Sequence, residues 1–422
     1  MYNKAVLDNG VRIVSCPMKD KQSLAIGLWI NVGSRFEDPK FSGISHFLEH
    51  LVFKGTQNYS CQKIKESIEG VGGSINGFTL EEATCYLVKI PARYLDLALN
   101  ILSDMVINPS LPEEEIERER TVILEEIKMY KDLPQSYVYD ILDRLLWPNQ
   151  PLGRSILGST EAINRIKRKD LYAYKQHYYT ASNIVVSGAG LLEHDRFKDK
   201  VRKIFGILEN QSINEFFRVK EVQTQPQLEL LHKNTEQTHL AIGFHGLKRD
   251  HPLKYALSLL HIILGANSSS RLFNEIREKR GLAYEIGTQV KRLNDTGAFI
   301  IHAGVDNRKV EETLELIFQE LRKVRDKSLN FDEFRRAKEF YLGQLMIALE
   351  DTLDQMLWIG ESTLTLDKTY TLNQVIKEVK EVKPSDLVEV SRLIFKEEKT
   401  NLALIGPLKQ KEKTIRSLLK IK

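Results

Sequence analysis

An α+β protein of two homologous domains, each a mostly antiparallel β-sheet backed by helices, is predicted by three features of this sequence. The first is an internal repeat: Ser23-Leu24-Ala25-Ile26-Gly27-Leu28 recurs as His239-Leu240-Ala241-Ile242-Gly243-Phe244. Likewise Asn183-Ile184-Val185-Val186-Ser187-Gly188 recurs as Asn401-Leu402-Ala403-Leu404-Ile405-Gly406. The two spacings are nearly equal, about half the chain, which marks a duplicated unit. The second feature is order within each half: β-rich segments first, then several long helical patterns, then a strand ending in Gly. The third is length, since 422 residues exceed what one hydrophobic core usually serves.

The expected division is a first domain over residues 1–208, a linker over 209–227 and a second domain over 228–422. The linker is placed where a polar stretch shows no sustained apolar period. An apolar content of 42% and a charged content of 28% describe an ordinary soluble protein. A net charge of +4 over this length implies no nucleic-acid partner. No apolar run reaches the length of a membrane span, so no membrane partner is expected. The opening residues MYNKAVLDNGVRIVS enter a strand-like pattern without a secretion signal or transit segment. Cys16, Cys61 and Cys85 are sparse and odd in number, which predicts reduced thiols and a cytoplasmic protein.

Chemistry concentrates in residues 42–56, SGISHFLEHLVFKGT. On a helix His46 and His50 stand one turn apart on one face, a spacing at which two imidazoles can grip a single metal ion. Zinc is the usual guest of such nitrogen ligands when a coordination position stays open. Glu49 is close enough to reach a water on that metal, and H-x-x-E-H is the inverted form of the H-E-x-x-H zinc-protease helix. Two core histidines on an amphipathic helix are the plainer reading of the same residues.

A third ligand is offered by residues 111–132, LPEEEIERERTVILEEIKMYKD. Pro112 suits a helix start, and acidic residues crowd the first turn. Ile116, Ile123, Ile127 and Tyr130 form its apolar stripe. At about 100° per residue, Glu119 and Glu126 lie within roughly 60° of Ile123, whereas Glu125 points about 200° away. Glu126 can therefore reach a half-buried metal, and Glu119 a ligand or the water.

These motifs together resemble the pitrilysin family of inverted-motif zinc peptidases, which includes the mitochondrial processing peptidase, insulin-degrading enzyme and bacterial processing proteases of this length. The resemblance extends to GVGGSINGFTLEEATCY (residues 70–86), PLGRSILG (151–158) and SSRLFNEIREKRGLAYEIG (269–287). It implies one zinc ion per chain held by His46, His50 and Glu126. It also implies Glu49 as general base, Glu119 as accessory glutamate, and Arg277 and Tyr284 as substrate-binding residues. Residues 72–79 lack the spacing and Lys of a phosphate loop, and Ser74–Thr79 reads as an edge strand. Such a strand can hold an extended peptide by β-augmentation through Asn76, Gly77 and Phe78. Family members resemble N-A-Y/F-T followed by S-x-E-H-T here, so Gly77 and Ala83 depart from the pattern while Glu82 and Thr84 keep it.

In the second half, the helix corresponding to the histidine helix carries His251 and His261, which are not at metal-ligand spacing. Ser268, Ser269 and Ser270 are placed to cap a helix over 271–280, with Gly281 ending it and a strand over 282–288. The resulting expectation is a zinc-dependent endopeptidase acting on short or unfolded peptides, with Glu49 activating a zinc-bound water. The family also contains non-catalytic structural and peptide-binding subunits, the alternative reading. In long family members the Arg/Tyr element comes from the opposite half of a fused molecule. By that analogy, a chain of this length works as a homodimer whose sites are completed in trans.

Overall fold

The computed structural model describes residues 2–211, 215–326 and 330–420. In chain order the first half forms β1 (Asn3–Val6), β2 (Arg12–Pro17), β3 (Ser23–Ile30), α1 (Ile44–Val52), α2 (Cys61–Glu69), β4 (Ser74–Thr79) and β5 (Thr84–Pro91). It continues with α3 (Leu95–Ile107), α4 (Glu113–Asp132), α5 (Pro134–Leu146), α6 (Thr160–Arg165), α7 (Arg168–Tyr178), β6 (Ile184–Gly190) and α8 (His194–Phe205). The second half opens with β7 (Gln227–His232), β8 (Gln237–His245), α9 (Lys254–Leu264), β9 (Ala283–Arg292) and β10 (Gly297–Asp306). It closes with α10 (Val310–Asp326), α11 (Phe331–Ala348), α12 (Thr352–Leu366), α13 (Leu372–Glu381), α14 (Pro384–Ile394), β11 (Asn401–Gly406) and α15 (Glu412–Leu418).

The sequence repeats land on equivalent strands, β3 with β8 and β6 with β11. One sheet has the order β1-β2-β6-β3-β5-β4 and the other β7-β11-β8-β10-β9, the same path without a counterpart of β1. The pairs β2–β6 and β7–β11 are parallel and the remaining neighbours antiparallel, so both sheets are mixed.

Strand β3 shows why each sheet needs two covers. Leu24, Ile26, Leu28 and Ile30 point to one face, and Ala25 and Trp29 to the other, all of them buried. A strand buried on both faces reads as a continuous apolar run. Residues of α1, α3 and α8, among them Phe47, Leu102 and Phe197, cover the first face. Met356, Ile359 and Leu364 of α12 cover the second. Full burial of one such side chain contributes about 1.5–3 kcal/mol. In the other sheet, Val138, Ile141 and Leu142 of α5 play the part of α12 against Ala241, Ile300, Ala403 and Ile405.

The contiguous division at 1–208 and 228–422 is corrected accordingly. One compact unit comprises residues 1–128, 154–217 and 346–372, and the other 129–153, 218–345 and 373–422. The repeat marks the strands correctly. It says nothing of the outer-face helices, which each half supplies to the sheet of the other. Of the expected linker 209–227, residues 212–214 lie outside the described residues, and the rest forms no helix or strand before Gln227. It is not a free tether: the main-chain oxygen of Phe217 accepts from Arg35 Nε and Nη2 at 3.2 and 2.8 Å. Among the described residues no helix is long and apolar enough to cross a membrane.

Candidate metal centre

Helix α1 buries almost its whole length, so its polar side chains are held rather than solvated. His46 and His50 sit on it with ring centroids 4.5 Å apart. Helix α4 buries Ile116, Ile123 and Ile127, which turns the neighbouring flank toward α1. From that flank Glu126 Oε2 comes within 3.9 Å of His46 Nε2 and 3.8 Å of His50 Nε2. These three residues form the one group among the described residues whose His, Cys, Asp or Glu atoms converge as metal ligands do. Tetrahedral zinc bonds of about 2.0–2.1 Å put ligand atoms roughly 3.4 Å apart; the three atoms here lie within 4.8 Å of one another, so the set fits the ion once it is drawn together. Burial, aided by the neighbouring His50, pushes the His46 imidazole down to about 3. His46 therefore stays neutral near pH 7, the form that donates a lone pair to a metal.

Around this triad stand groups that orient it. Glu119, two turns before Glu126 on α4 and buried, places Oε2 3.0 Å from His50 Nδ1. An ionised carboxylate only accepts, so Nδ1 carries the proton and Nε2 presents its lone pair. The other oxygen of Glu119 pairs with Lys54 Nζ at 2.5 Å. Glu49 is buried on α1, and the Thr79 hydroxyl donates to its Oε2 at 3.1 Å. Burial holds the Glu49 carboxyl above the ordinary carboxylate range, with His50 and the Thr79 hydrogen bond opposing. A base raised in this way is better matched to proton transfer near neutral pH. A cleft of about 280 Å³ opens beside Glu49 and His50, walled by Phe53, Lys54, Ile75 and Asn76.

Strand β4 is the sheet edge nearest to this helix, as expected for residues 74–79. Gly77 faces α1: a Cβ there would lie 3.1 Å from the Phe53 ring and 3.2 Å from Glu49 Oε1. Phe78 is turned away, its ring packed edge-on against Trp29 at 5.7 Å. Its ring is therefore on the face opposite α1, because side chains alternate along a strand. Ala83 belongs to the buried apolar cluster of Trp29 under α12, so that departure from the family pattern lies away from the metal helix. Glu82 forms a buried pair with Arg35 at 2.5 Å, and Arg35 N–H donates to Glu81 O at 2.9 Å. Together these contacts anchor the turn that follows Thr79. Glu125 is exposed and paired with Lys128.

Within the second unit, the guanidinium of Arg277 lies 4.7 Å from the Phe273 ring and 5.6 Å from that of Tyr284. Tyr284 is 76% exposed, an unusual state for an aromatic residue on a strand. The helix expected over 271–280 forms over 271–278, and its residues Phe273–Glu278 are π-helical, a geometry common at functional sites. No serine hydroxyl caps it: Ser269 Oγ donates to Asn267 instead. Helix α9 brings no second metal group, and His261 is occupied with Thr288 at 2.7 Å. Thr79, Lys54 and Arg35 escape sequence reasoning because their roles depend on which neighbours the fold supplies.

Residues 12–160 match the family described as Insulinase (Peptidase family M16), and residues 165–341 match the Peptidase M16 inactive domain. The chain is 37% identical over 407 residues to the uncharacterized zinc protease YmxG of Bacillus subtilis, covering 96% of this chain and 98% of that protein. It belongs to peptidase family M16. An uncharacterized zinc protease of Streptomyces coelicolor is 34% identical over 97% of this chain and 90% of its own length. The crystal structure of a protease from Helicobacter pylori superposes with a TM-score of 0.92 at 25% identity, covering 96% of this chain and all of that one. This M16 chain thus has its metal triad within the first match, while the second match is to the domain named inactive.

Proposed function

We propose that this chain is a zinc-dependent endopeptidase that cleaves short or unfolded peptides. The observation that carries this reading is the convergence of ligand atoms of His46, His50 and Glu126 within 4.8 Å of one another, with buried Glu49 beside them. The names of its curated relatives support it. His46, His50 and Glu126 are the residues that would hold the ion, one per chain. Zinc, when bound, supplies a Lewis acid that lowers the pKa of water to about 7 and polarises a carbonyl.

The residues of the chain divide the remaining work. Thr79 occupies Oε2 of Glu49, which leaves Oε1 to take a proton from water and pass it to the leaving amine. Glu119 keeps His50 in the tautomer that ligates, and Lys54 offsets the charge of Glu119. Strand β4 holds an extended peptide by main-chain hydrogen bonds, recognition that ignores sequence and suits unfolded substrates. Arg277 and exposed Tyr284 bind substrate carbonyls, supplied by the partner subunit of a homodimer. Three unpaired cysteines suit a reducing compartment, and we place the enzyme in the cytoplasm. Elemental analysis of the purified protein, paired with a mixed-peptide digest read by mass spectrometry, tests the proposal. One zinc per chain and cleavage abolished by a chelator are expected; a metal-free protein that cleaves nothing would overturn it.

A further inference from the structure

The metal helix lacks a cap of its own. Its N-cap residue is Gly43, which has no side chain to accept the free amides at the start of α1. The acceptor comes from outside. Glu37, 1% exposed, receives the Gly43 N–H on Oε2 at 2.7 Å and the Ser45 N–H on Oε1 at 2.9 Å. Both oxygens of one buried carboxylate are therefore spent on the first turn of the helix that carries His46, His50 and Glu49.

The surroundings hold this carboxylate in place. Arg154 Nη2 donates to the main-chain oxygen of Glu37 at 2.6 Å, and the Tyr178 hydroxyl donates to Phe36 O at 3.2 Å. Gly43 and Gly158 both have positive φ, at 94° and 80°. They pack against each other so closely that a Cβ on Gly43 would meet Leu157 O at 2.6 Å, and one on Gly158 would meet Ser42 O at 2.2 Å. The segment PLGRSILG, whose sequence offers no catalytic group, thus supplies Arg154 and Gly158 to a clamp on the entry of α1. Ser45 Oγ adds a hydrogen bond to Tyr174 OH at 2.6 Å.

We infer that Glu37 is a positioning residue for the metal centre, fixing the axial placement of α1 so that His46 and His50 meet Glu126 of α4. The inference rests on the zinc reading above. Its logic is geometric: each residue of a helix rises 1.5 Å, so slippage of the first turn by a fraction of that step separates ligands borne on two different helices. Replacing one carboxylate oxygen by an amide turns an N–H toward an N–H, and the turn must give way.

The test measures zinc affinity by competition with a chromogenic chelator, and ligand geometry by the visible spectrum of the cobalt-substituted protein. It compares the full-length wild type with Glu37→Gln, Glu37→Asp and a control, Phe205→Leu. The control removes buried apolar volume on α8, which packs against β2 and α3. Glu37→Gln is expected to weaken zinc about 10–100-fold, as loss of groups that orient ligands does, and to shift the cobalt bands. Glu37→Asp, which keeps both carboxyl oxygens but is one methylene shorter, should fall between Gln and wild type and decides the matter if Gln does not fold. The control should lower the melting temperature and leave affinity and spectrum unchanged. Wild-type affinity and bands in the Glu37 variants would reduce Glu37 to a structural residue. Failure of the wild type to bind zinc would instead remove the zinc reading itself.

Discussion

Glu119 and His50 are joined by a 3.0 Å contact from Oε2 to Nδ1, across two helices and 69 positions of sequence. The carboxylate touches no position a metal would occupy, yet it decides which nitrogen of His50 is free to ligate. Glu119→Gln keeps the shape and can still accept through its carbonyl, but it loses the charge that balances a cationic site. Zinc affinity should fall about 10–100-fold. Chelator competition checks this, and Glu119→Ala should lose more than Glu119→Gln.

The neighbours Glu125 and Glu126 give a sharper contrast. Glu126 faces both imidazoles, whereas Glu125 is 66% exposed on its side chain and pairs with Lys128. Glu126→Gln is expected to empty the site, as are His46→Ala and His50→Ala. Glu125→Gln should change stability by less than about 0.5 kcal/mol, the usual worth of an exposed helical ion pair. Zinc content per chain after dialysis distinguishes the two; full occupancy in Glu126→Gln with loss in Glu125→Gln would reverse the assignment.

Binding and catalysis should also separate. Glu49 stands beside the triad without belonging to it, so Glu49→Gln is expected to retain zinc and lose cleavage by at least the 10²–10⁴-fold typical of general acid–base groups. Thr79→Val removes the hydroxyl that orients Oε2 and should lower kcat with little effect on zinc or KM. A peptide assay on zinc-quantified protein reads both. Parallel loss of metal in Glu49→Gln would mean that Glu49 is a ligand and not a base.

Much of this centre is legible in the sequence because helix periodicity is local. The spacing of His46 and His50, and the angle between Glu125 and Glu126, need only 100° per residue. Contacts made by folding are different in kind. Glu37 sits in an irregular stretch among ordinary acids, and only the structure brings it under α1. The exchange of α5 and α12 is hidden for a similar reason. An amphipathic helix declares its apolar face but not which sheet will cover it.

A pH effect follows from the second unit. Burial, with Arg292 and His302 adding to it, pushes the His261 imidazole down to about 4 from an ordinary 6.5. The unfolded chain therefore binds the proton more readily in this window. Stability is fully present above pH 6.5 and is lost as pH falls toward 4. The loss from this residue is about 2 kcal/mol between pH 7 and 5. Urea unfolding of His261→Gln at those two pH values should show a smaller drop than the wild type by about that amount. Equal drops would show that His261 does not carry the effect.

The trans arrangement of the proposed homodimer makes the most demanding prediction. The metal triad lies in one unit, and Arg277 lies in the other with Tyr284, a residue 76% exposed. If each site takes its triad from one chain and its Arg/Tyr pair from the partner, two differently damaged chains can rebuild one site between them. Glu49→Gln protein and Arg277→Ala/Tyr284→Phe protein are each expected to be inactive. Mixed and allowed to exchange subunits, they should form heterodimers with one intact site, so activity recovers toward a quarter of wild type when half the dimers are mixed. Differential tagging and native mass spectrometry measure the heterodimer fraction independently. Recovery should scale with that fraction and vanish on dilution below the dimer dissociation constant. A mixture that stays inactive despite proven exchange, or a wild-type enzyme that is active as a monomer, would put both parts of the site in one chain.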